Sequence, residues 1–405
     1  MTDIKTLIEL FDDCQIKNVA SGLRYTPEKI IFVCFNDANL KKKRTDSAKF
    51  LKAKIPDVKI EYEFVDRFDF DNITEKLMLI VDNNPDCCFD LTGGKELVLA
   101  AMGVVSQTRN VPMIQCDIKK GTVINVKNAE NLLKMPIPKI MLDEMVELNG
   151  GKIVRDEVGF LSDVNKVDFE DDIERMWSIC KKDCSFWNKQ VKLFSILENI
   201  GYINQDLYVN VNLQEGTEIT LPDCSFVNLL QESGLLKKYK CEDNKISFQY
   251  KNRLVYKCIN KAGNILELFT YMILHKIKKE IPGYYDDIDM GVLLDWDGVL
   301  HKKYENVKDT NNEIDVMVTR RMFPIFISCK NGDVKKEALY ELDTVAKKFG
   351  GEYSKKILLT SYLSSNAESK KYLLQRAIDM DIKIIEGIDK LNTKEFYNVI
   401  KETVK

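Results

Sequence analysis

Apolar runs alternate with amphipathic segments along the first third of the chain. Lys29 to Phe35 (KIIFVCF) is apolar beyond its first residue, which predicts a strand buried on both faces. Asn36-Asp37-Ala38-Asn39 follows, and Lys41-Lys42-Lys43-Arg44 opens a helix through Lys54. Val58 to Val65 alternates as a strand, and Asp71 to Asn83 places Ile73, Leu77 and Ile80 on one helical face. Cys87 to Leu91 predicts a short strand, Glu96 to Ser106 an apolar helix, and Pro112 to Cys116 and Thr122 to Val126 two more strands. Residues 3–20 read as an amphipathic helix or a strand–helix lead-in. This succession predicts an α/β fold with a doubly wound parallel sheet.

The pattern changes after Met135-Pro-Ile-Pro138, where two prolines interrupt helix and strand alike. Helices are predicted over Phe169–Cys180, Lys189–Ile200 and Phe226–Ser233, followed by a hairpin from Leu235-Leu236 and Ile246–Tyr250. Helices and a hairpin in this order read as winged-helix-like, a module able to bind nucleic acid. Without a basic recognition stripe, a linker or dimerisation role is the stronger reading. Three regions follow: 1–134, 135–255 and 256–405.

In the last region, Gly263 to Leu274 predicts a helix that carries Glu267, and Val292–Trp296 predicts a strand. In NNEIDVMVTRR, Ile314, Val316 and Val318 alternate as a strand, and Phe323–Cys329 forms a second one after Arg320-Arg321. Lys330 ends that strand before Asn331-Gly332, a turn signal. Asp333 is placed to cap a predicted helix whose stripe is Leu339, Leu342, Val345 and Ala346, ended by Gly350-Gly351. Lys356–Leu359, a helix near Ser369–Asp379 and Ile382–Ile385 complete the region. Asp315 and Lys330 thus stand on neighbouring strands, with Glu313 beside them and Glu337 and Glu341 on one face of the next helix. Carboxylates hold hard cations such as Mg²⁺ or Mn²⁺, and a nearby lysine orients water and stabilises developing charge. The pattern suits metal-assisted phosphodiester hydrolysis. Asp295 and Asp297 read either as supplementary acids or as turn residues.

Composition narrows the chemistry further. The 405 residues are long enough for two or three cores, and no apolar run approaches a membrane span. The acidic, amphipathic start does not read as a signal peptide, so the eleven cysteines read as reduced cytoplasmic thiols. With only two histidines, zinc and imidazole catalysis are disfavoured. The net charge of −3 does not advertise a nucleic-acid partner, although the basic pairs 302–303, 320–321, 335–336, 347–348 and 355–356 gather in the last third.

Asp90-Leu-Thr-Gly-Gly-Lys95 lies between a strand end and a helix start, the place where open α/β sheets bind ligands. The glycines admit a close phosphate, the helix start favours an anion, and Thr92 and Lys95 add a hydroxyl and a charge. The spacing is too short for a P-loop.

Two resemblances follow from these motifs. Phe89-Asp-Leu-Thr-Gly-Gly-Lys-Glu-Leu resembles the signature of CRISPR-associated Rossmann-fold (CARF) domains, with Asn36-Asp37 matching their other ligand-facing loop. The stretch from Asp315 through Lys330 to the helix beyond resembles the PD-(D/E)XK nuclease core. The two resemblances together imply a type III CRISPR accessory nuclease. Its parts are a Rossmann-like CARF sensor domain (1–134), a winged-helix-like linker (135–255) and a restriction-endonuclease-like α/β domain (256–405). It is implied to be a cytoplasmic homodimer sharing one cyclic oligoadenylate, with cyclic tetra-adenylate the expected ring, and to cleave or nick DNA and/or RNA with Mn²⁺ or Mg²⁺. Thr92, Gly93, Gly94, Lys95, Asn36 and Asp37 are the implied ligand residues. Asp315, Lys330, Glu337, Glu341, Glu313 and Glu267 are the implied catalytic set, with Asp315, Glu337 and the main-chain carbonyl of Cys329 on the metal. Ser328 stands where the nuclease motif usually has an acid. Glu337 ranks first and Glu341 second as its replacement. A nucleotide-responsive regulator with an inactive nuclease-like domain, or a nuclease without a second messenger, remain open from sequence.

Overall fold

A computed structural model describes residues 4–132, 138–154, 169–213, 219–242, 245–299 and 311–405. Met135 to Ile137 of the predicted boundary and the Lys302-Lys303 pair lie outside the described residues.

The N-terminal sheet is built from β1 (Thr6–Leu10), β2 (Lys29–Cys34), β3 (Lys59–Phe64), β4 (Cys87–Asp90), β5 (Met113–Asp117) and β6 (Thr122–Lys127). Their spatial order is β3-β2-β1-β4-β5-β6, with all neighbours parallel except the antiparallel β5/β6 edge. The connecting helices are α1 (Lys17–Tyr25), α2 (Leu40–Lys54), α3 (Phe70–Asn83) and α4 (Glu96–Arg109). Period-two alternation sorts the strands between two cores. Leu7, Ile30 and Phe32 pack with α1 and α2, whereas Ile8, Ile31 and Val33 pack with α3 and α4. The lead-in resolves as strand then helix, and the strand is central. The chain runs outward from β1 to β3 and then crosses back to β4 on the other flank, so the order reverses between β1 and β4.

The segment 142–154, assigned by sequence to the middle region, packs elsewhere. Its helix α5 (Leu142–Leu148) and strand β7 (Lys152–Val154) join the C-terminal sheet, where β7 pairs with the far edge. Only three residues long, β7 carries too little pattern to be read alone.

The middle of the chain forms α6 (Phe169–Cys180), α7 (Cys184–Ile200), β8 (Tyr202–Ile203), β9 (Tyr208–Asn212), α8 (Cys224–Glu232), β10 (Leu236–Glu242), β11 (Lys245–Tyr250) and α9 (Arg253–Asn260). The predicted hairpin is present and extends into a four-stranded sheet, β10-β11-β9-β8. Its core is continuous with the C-terminal region: Trp177 stacks on Phe269, with ring centroids 5.1 Å apart.

That region comprises α10 (Asn264–Glu280), β12 (Asp287–Asp295), β13 (Asn311–Arg320), β14 (Phe323–Lys330), α11 (Lys336–Gly350), β15 (Lys355–Thr360), α12 (Ala367–Asp379), β16 (Ile382–Glu386) and α13 (Thr393–Thr403). The sheet order is β16-β15-β14-β13-β12-β7, parallel from β16 to β14 and antiparallel beyond. Val316, Val318, Ile325 and Ile327 pack on the α10 side, and Met317, Phe326 and Leu358 on the α11 side. Among the described residues no helix is long and apolar enough to cross a membrane.

Candidate functional site

The β13/β14 ladder pairs from Arg320↔Phe323 to Val316↔Ile327 and then opens. Asp315 lies at the opening. Opposite it on β12, Gly291 takes a φ of +58°, and the pairing skips this position. Released from the ladder, the Cys329 N–H donates to Asp315 Oδ2 at 2.6 Å. The Ser328 hydroxyl donates to the same oxygen at 3.1 Å, and Lys330 Nζ approaches it at 3.3 Å. Asp315 is therefore held on three sides by the end of β14.

A cleft of about 510 Å³ opens over this group, lined by Asp315, Lys330, Cys329, Glu267, Glu313 and Glu341. Glu267, on the first turn of α10, is 5% exposed. Burial and then the nearby Asp315 charge push its carboxyl up to about 8. Burial alone would lower the Lys330 ammonium, but the charge and hydrogen bond of Asp315, joined by the Glu267 charge, together hold the lysine above its ordinary value. Glu341 accepts from Asn312 Nδ2 at 3.3 Å, and Trp296 Nε1 fixes Asn312 at 2.8 Å. Glu313 faces Lys261 at 3.7 Å.

Glu337 does not line this cleft. It lies one helical turn away, on a neighbouring groove. Asp295 is buried and accepts from Gly298 N at 2.8 Å, while the Asp297 carbonyl receives Lys42 at 3.4 Å. These two acids belong to a turn against α2. Sequence reasoning did not find Lys261, Asn188 or Tyr362, which also line the cleft. Asn188 comes from α7 and exchanges hydrogen bonds with Asn331, so the middle of the chain forms one wall. No local pattern marks such residues, because they arrive from elements distant in sequence.

The donor set consists of carboxylate oxygens and the Cys329 main chain, which suits a hard divalent cation. The Cys329 thiol is buried against Thr270 Oγ1. Among the described residues, no three His, Cys, Asp or Glu side chains gather closely enough to hold a metal unaided.

The second motif lies at the order reversal of the N-terminal sheet. Asp90 Oδ1 accepts from the Thr92 N–H at 2.9 Å and from the Thr92 hydroxyl at 2.5 Å. The same hydroxyl oxygen accepts from Cys116 N at 2.8 Å, tying the turn to β5. Gly94 N donates to Asp12 Oδ2 at 3.2 Å, linking the turn to the end of β1. A Cβ on Gly93 would lie 2.9 Å from Asp12 Cβ, and Gly94 has a φ of +152°, so both positions require glycine. Lys95 is exposed at the start of α4. Asn36 and Asp37 follow β2 on the same sheet edge, with β1 between them and the glycine turn. Lys42 and Lys43 instead reach Asp297 and Asp13. Beneath the turn, Glu9 and Asp90 are both buried and interact electrostatically. Burial and then Asp90 push the Glu9 carboxyl upward, and burial raises Asp90. The two Thr92 donors favour the charged form of Asp90 and oppose that rise.

Comparison with solved structures places this architecture. The protein VC1899 from Vibrio cholerae superposes with a TM-score of 0.74 at 14% identity, covering 98% of this chain and 97% of that one. Can2 from Sulfobacillus thermosulfidooxidans, solved with cyclic tetra-adenylate, superposes with a TM-score of 0.67 at 16% identity, covering 98% of both chains. The chain shares their fold end to end. No protein-family model matches the sequence, and no curated protein matches it.

Proposed function

We propose that the chain is a metal-dependent nuclease of type III CRISPR defence, switched on by cyclic tetra-adenylate. The observation that carries this reading is the cleft over Asp315, where Lys330, Glu267 and Glu341 converge. Its support is the end-to-end likeness to Can2, a protein solved with cyclic tetra-adenylate. Residues 1–134 are the sensor, 256–405 the catalytic region with α5 and β7 added to its sheet, and 135–255 otherwise the connecting region. The working unit is a cytoplasmic homodimer whose two glycine turns share one ligand.

Asp315, Glu341 or Glu267, and the Cys329 carbonyl would hold Mn²⁺ or Mg²⁺, with water and substrate phosphate completing the shell. When bound, the ion supplies Lewis-acid polarisation of the phosphate and a more acidic water. Lys330 orients the attacking water and stabilises charge on the phosphate as the ester bond breaks. Asp315, through its contact at 3.3 Å, keeps that lysine charged and aimed. Thr92, Gly93, Gly94 and Lys95, with Asn36 and Asp37, receive the ligand, and Lys95 offers a free cation to a ring phosphate.

A second reading, a nucleotide-responsive regulator without catalysis, is favoured by Ser328. It gives Asp315 a hydroxyl where the nuclease motif carries an acid. The deciding experiment incubates the protein with Mn²⁺ or Mg²⁺, with and without cyclic tetra-adenylate, on single-stranded DNA, RNA and supercoiled plasmid. Cleavage that needs both ion and ligand is expected. Ligand binding with no cleavage of any substrate would select the regulator.

A further inference from the structure

A second groove, about 540 Å³ in volume, runs beside the catalytic cleft, and Asp333 lines both. One wall is the start of α11, with Lys335 and Lys336; the other is the face of α12, with Tyr372 and Arg376. Ser369, Tyr372, Leu373 and Arg376 have i, i+3, i+4, i+7 spacing, which places them along one stripe of α12. Leu373 is 7% exposed and forms the floor, whereas Tyr372 is 71% exposed. The Arg376 guanidinium lies 5.5 Å from the Tyr340 ring centroid and donates to the Tyr340 hydroxyl. That contact ties the cation to α11 at the rim.

We propose that this groove binds single-stranded nucleic acid leaving the catalytic cleft, with a base on Tyr372 and phosphates at Lys335, Lys336 and Arg376. The proposal rests on the nuclease reading for the cleft it continues. Its chemistry is independent: a single strand repeats a flat base and a phosphate, and the groove offers one exposed ring among three cations. The cations outnumber the carboxylates of Asp333 and Glu337 that share the lining, which gives the groove charge complementary to a phosphate backbone. A paired duplex would hide its base faces and gain only the phosphate contacts.

The test measures Tyr372→Ala, Tyr372→Phe and Lys335→Ala/Lys336→Ala in the full chain. Readouts are anisotropy of a labelled oligonucleotide without divalent ions, and KM and kcat on that strand and on bis(p-nitrophenyl) phosphate, which reaches only the cleft. DNA and RNA of one sequence separate the two substrates. Loss of one stacked base weakens binding by about tenfold. Tyr372→Ala is therefore expected to raise the oligonucleotide Kd and KM by that factor, with kcat and hydrolysis of the small diester unchanged. Tyr372→Phe should restore binding. Wild-type oligonucleotide affinity in Tyr372→Ala overturns the groove while leaving the nuclease reading intact. So does a shift in sedimentation with unchanged affinity, which would assign the face to a second copy of the chain. If the wild type hydrolyses nothing but binds strands through Tyr372, the nuclease reading falls and the groove stands.

Discussion

Lys17 Nζ lies 2.6 Å from Glu352 Oε1 and 3.7 Å from Asp12 Oδ2. The side chains of Lys17 and Asp12 are 17% and 12% exposed, whereas that of Glu352 is open to water. Asp12 holds the Gly94 N–H of the glycine turn, and Glu352 follows the end of α11, the helix that carries Glu341. One lysine therefore joins the glycine turn to the helix behind the cleft. A ligand that draws Gly94 away from Asp12 changes the charge balance at Lys17. Lys17→Met is expected to reduce the ratio of activated to basal cleavage by roughly fivefold, a coupling of about 1 kcal/mol. Affinity for cyclic tetra-adenylate and the melting temperature serve as controls. An activation ratio equal to wild type would show that coupling bypasses this bridge.

Asp315→Asn and Lys330→Ala should each abolish cleavage in Mn²⁺ or Mg²⁺ while leaving unfolding and ligand binding near wild type. Chelation of the divalent ion should match their effect. Turnover above a tenth of wild type in either variant would remove that residue from the chemistry.

The cleft orders the glutamates differently from sequence proximity. Glu341→Gln and Glu267→Gln are expected to lower cleavage by roughly 100-fold, an electrostatic loss of about 2.7 kcal/mol. Glu337→Gln should stay within a few-fold on short substrates. Equal loss in Glu337→Gln and Glu341→Gln would mean that α11 moves when substrate binds.

At the glycine turn, Lys95 is exposed and Thr92 is buried, so their variants should separate. On the proposed ligand site, Lys95→Ala would remove one charge-assisted phosphate contact, roughly 1.5–3 kcal/mol, and should shift the activation curve by one to two decades with no change in stability. Thr92→Val removes one of the two donors to Asp90 and leaves the Cys116 N–H without its acceptor, so a stability loss of about 1–3 kcal/mol should accompany weaker binding. Titration of cleavage against cyclic tetra-adenylate and urea unfolding check the two effects. An unchanged curve in Lys95→Ala would move the ligand elsewhere.

Glu9 sets a pH dependence of stability. Its folded carboxyl is raised well above the ordinary 4.5 by burial and Asp90, so the native state keeps a proton that the unfolded chain releases. That stabilising contribution is complete below pH of about 4.5 and is lost as pH rises through the folded value, at up to about 1.4 kcal/mol per pH unit. Glu9→Gln keeps the side-chain shape and removes the titrating carboxyl. Its stability relative to wild type should grow as pH increases from 5 to 8. Parallel wild-type and variant curves would show that Glu9 is not the titrating group.

The sequence alone determined what local periodicity and punctuation encode. The buried runs at Lys29–Phe35 and Cys87–Leu91 form strands because apolar residues on both faces require cover on both faces. Asp90 to Lys95 was readable because glycine, threonine and a helix start sit within six residues. Asp315 and Lys330 were readable as neighbours because one tight turn joins their strands. Tertiary structure decided the rest. The opening of the ladder at Asp315 depends on Gly291 of a third strand, and β7 reaches the sheet edge from the other side of the middle region. Glu337 and Glu341 share a helical face, so sequence cannot separate them. The docking of Leu339, Leu342 and Val345 onto the sheet turns Glu341 to the cleft and leaves Glu337 on the adjoining groove. Lys261, Asn188 and Tyr362 converge there for the same reason: burial of distant apolar faces positions polar residues that carry no local signal of their own.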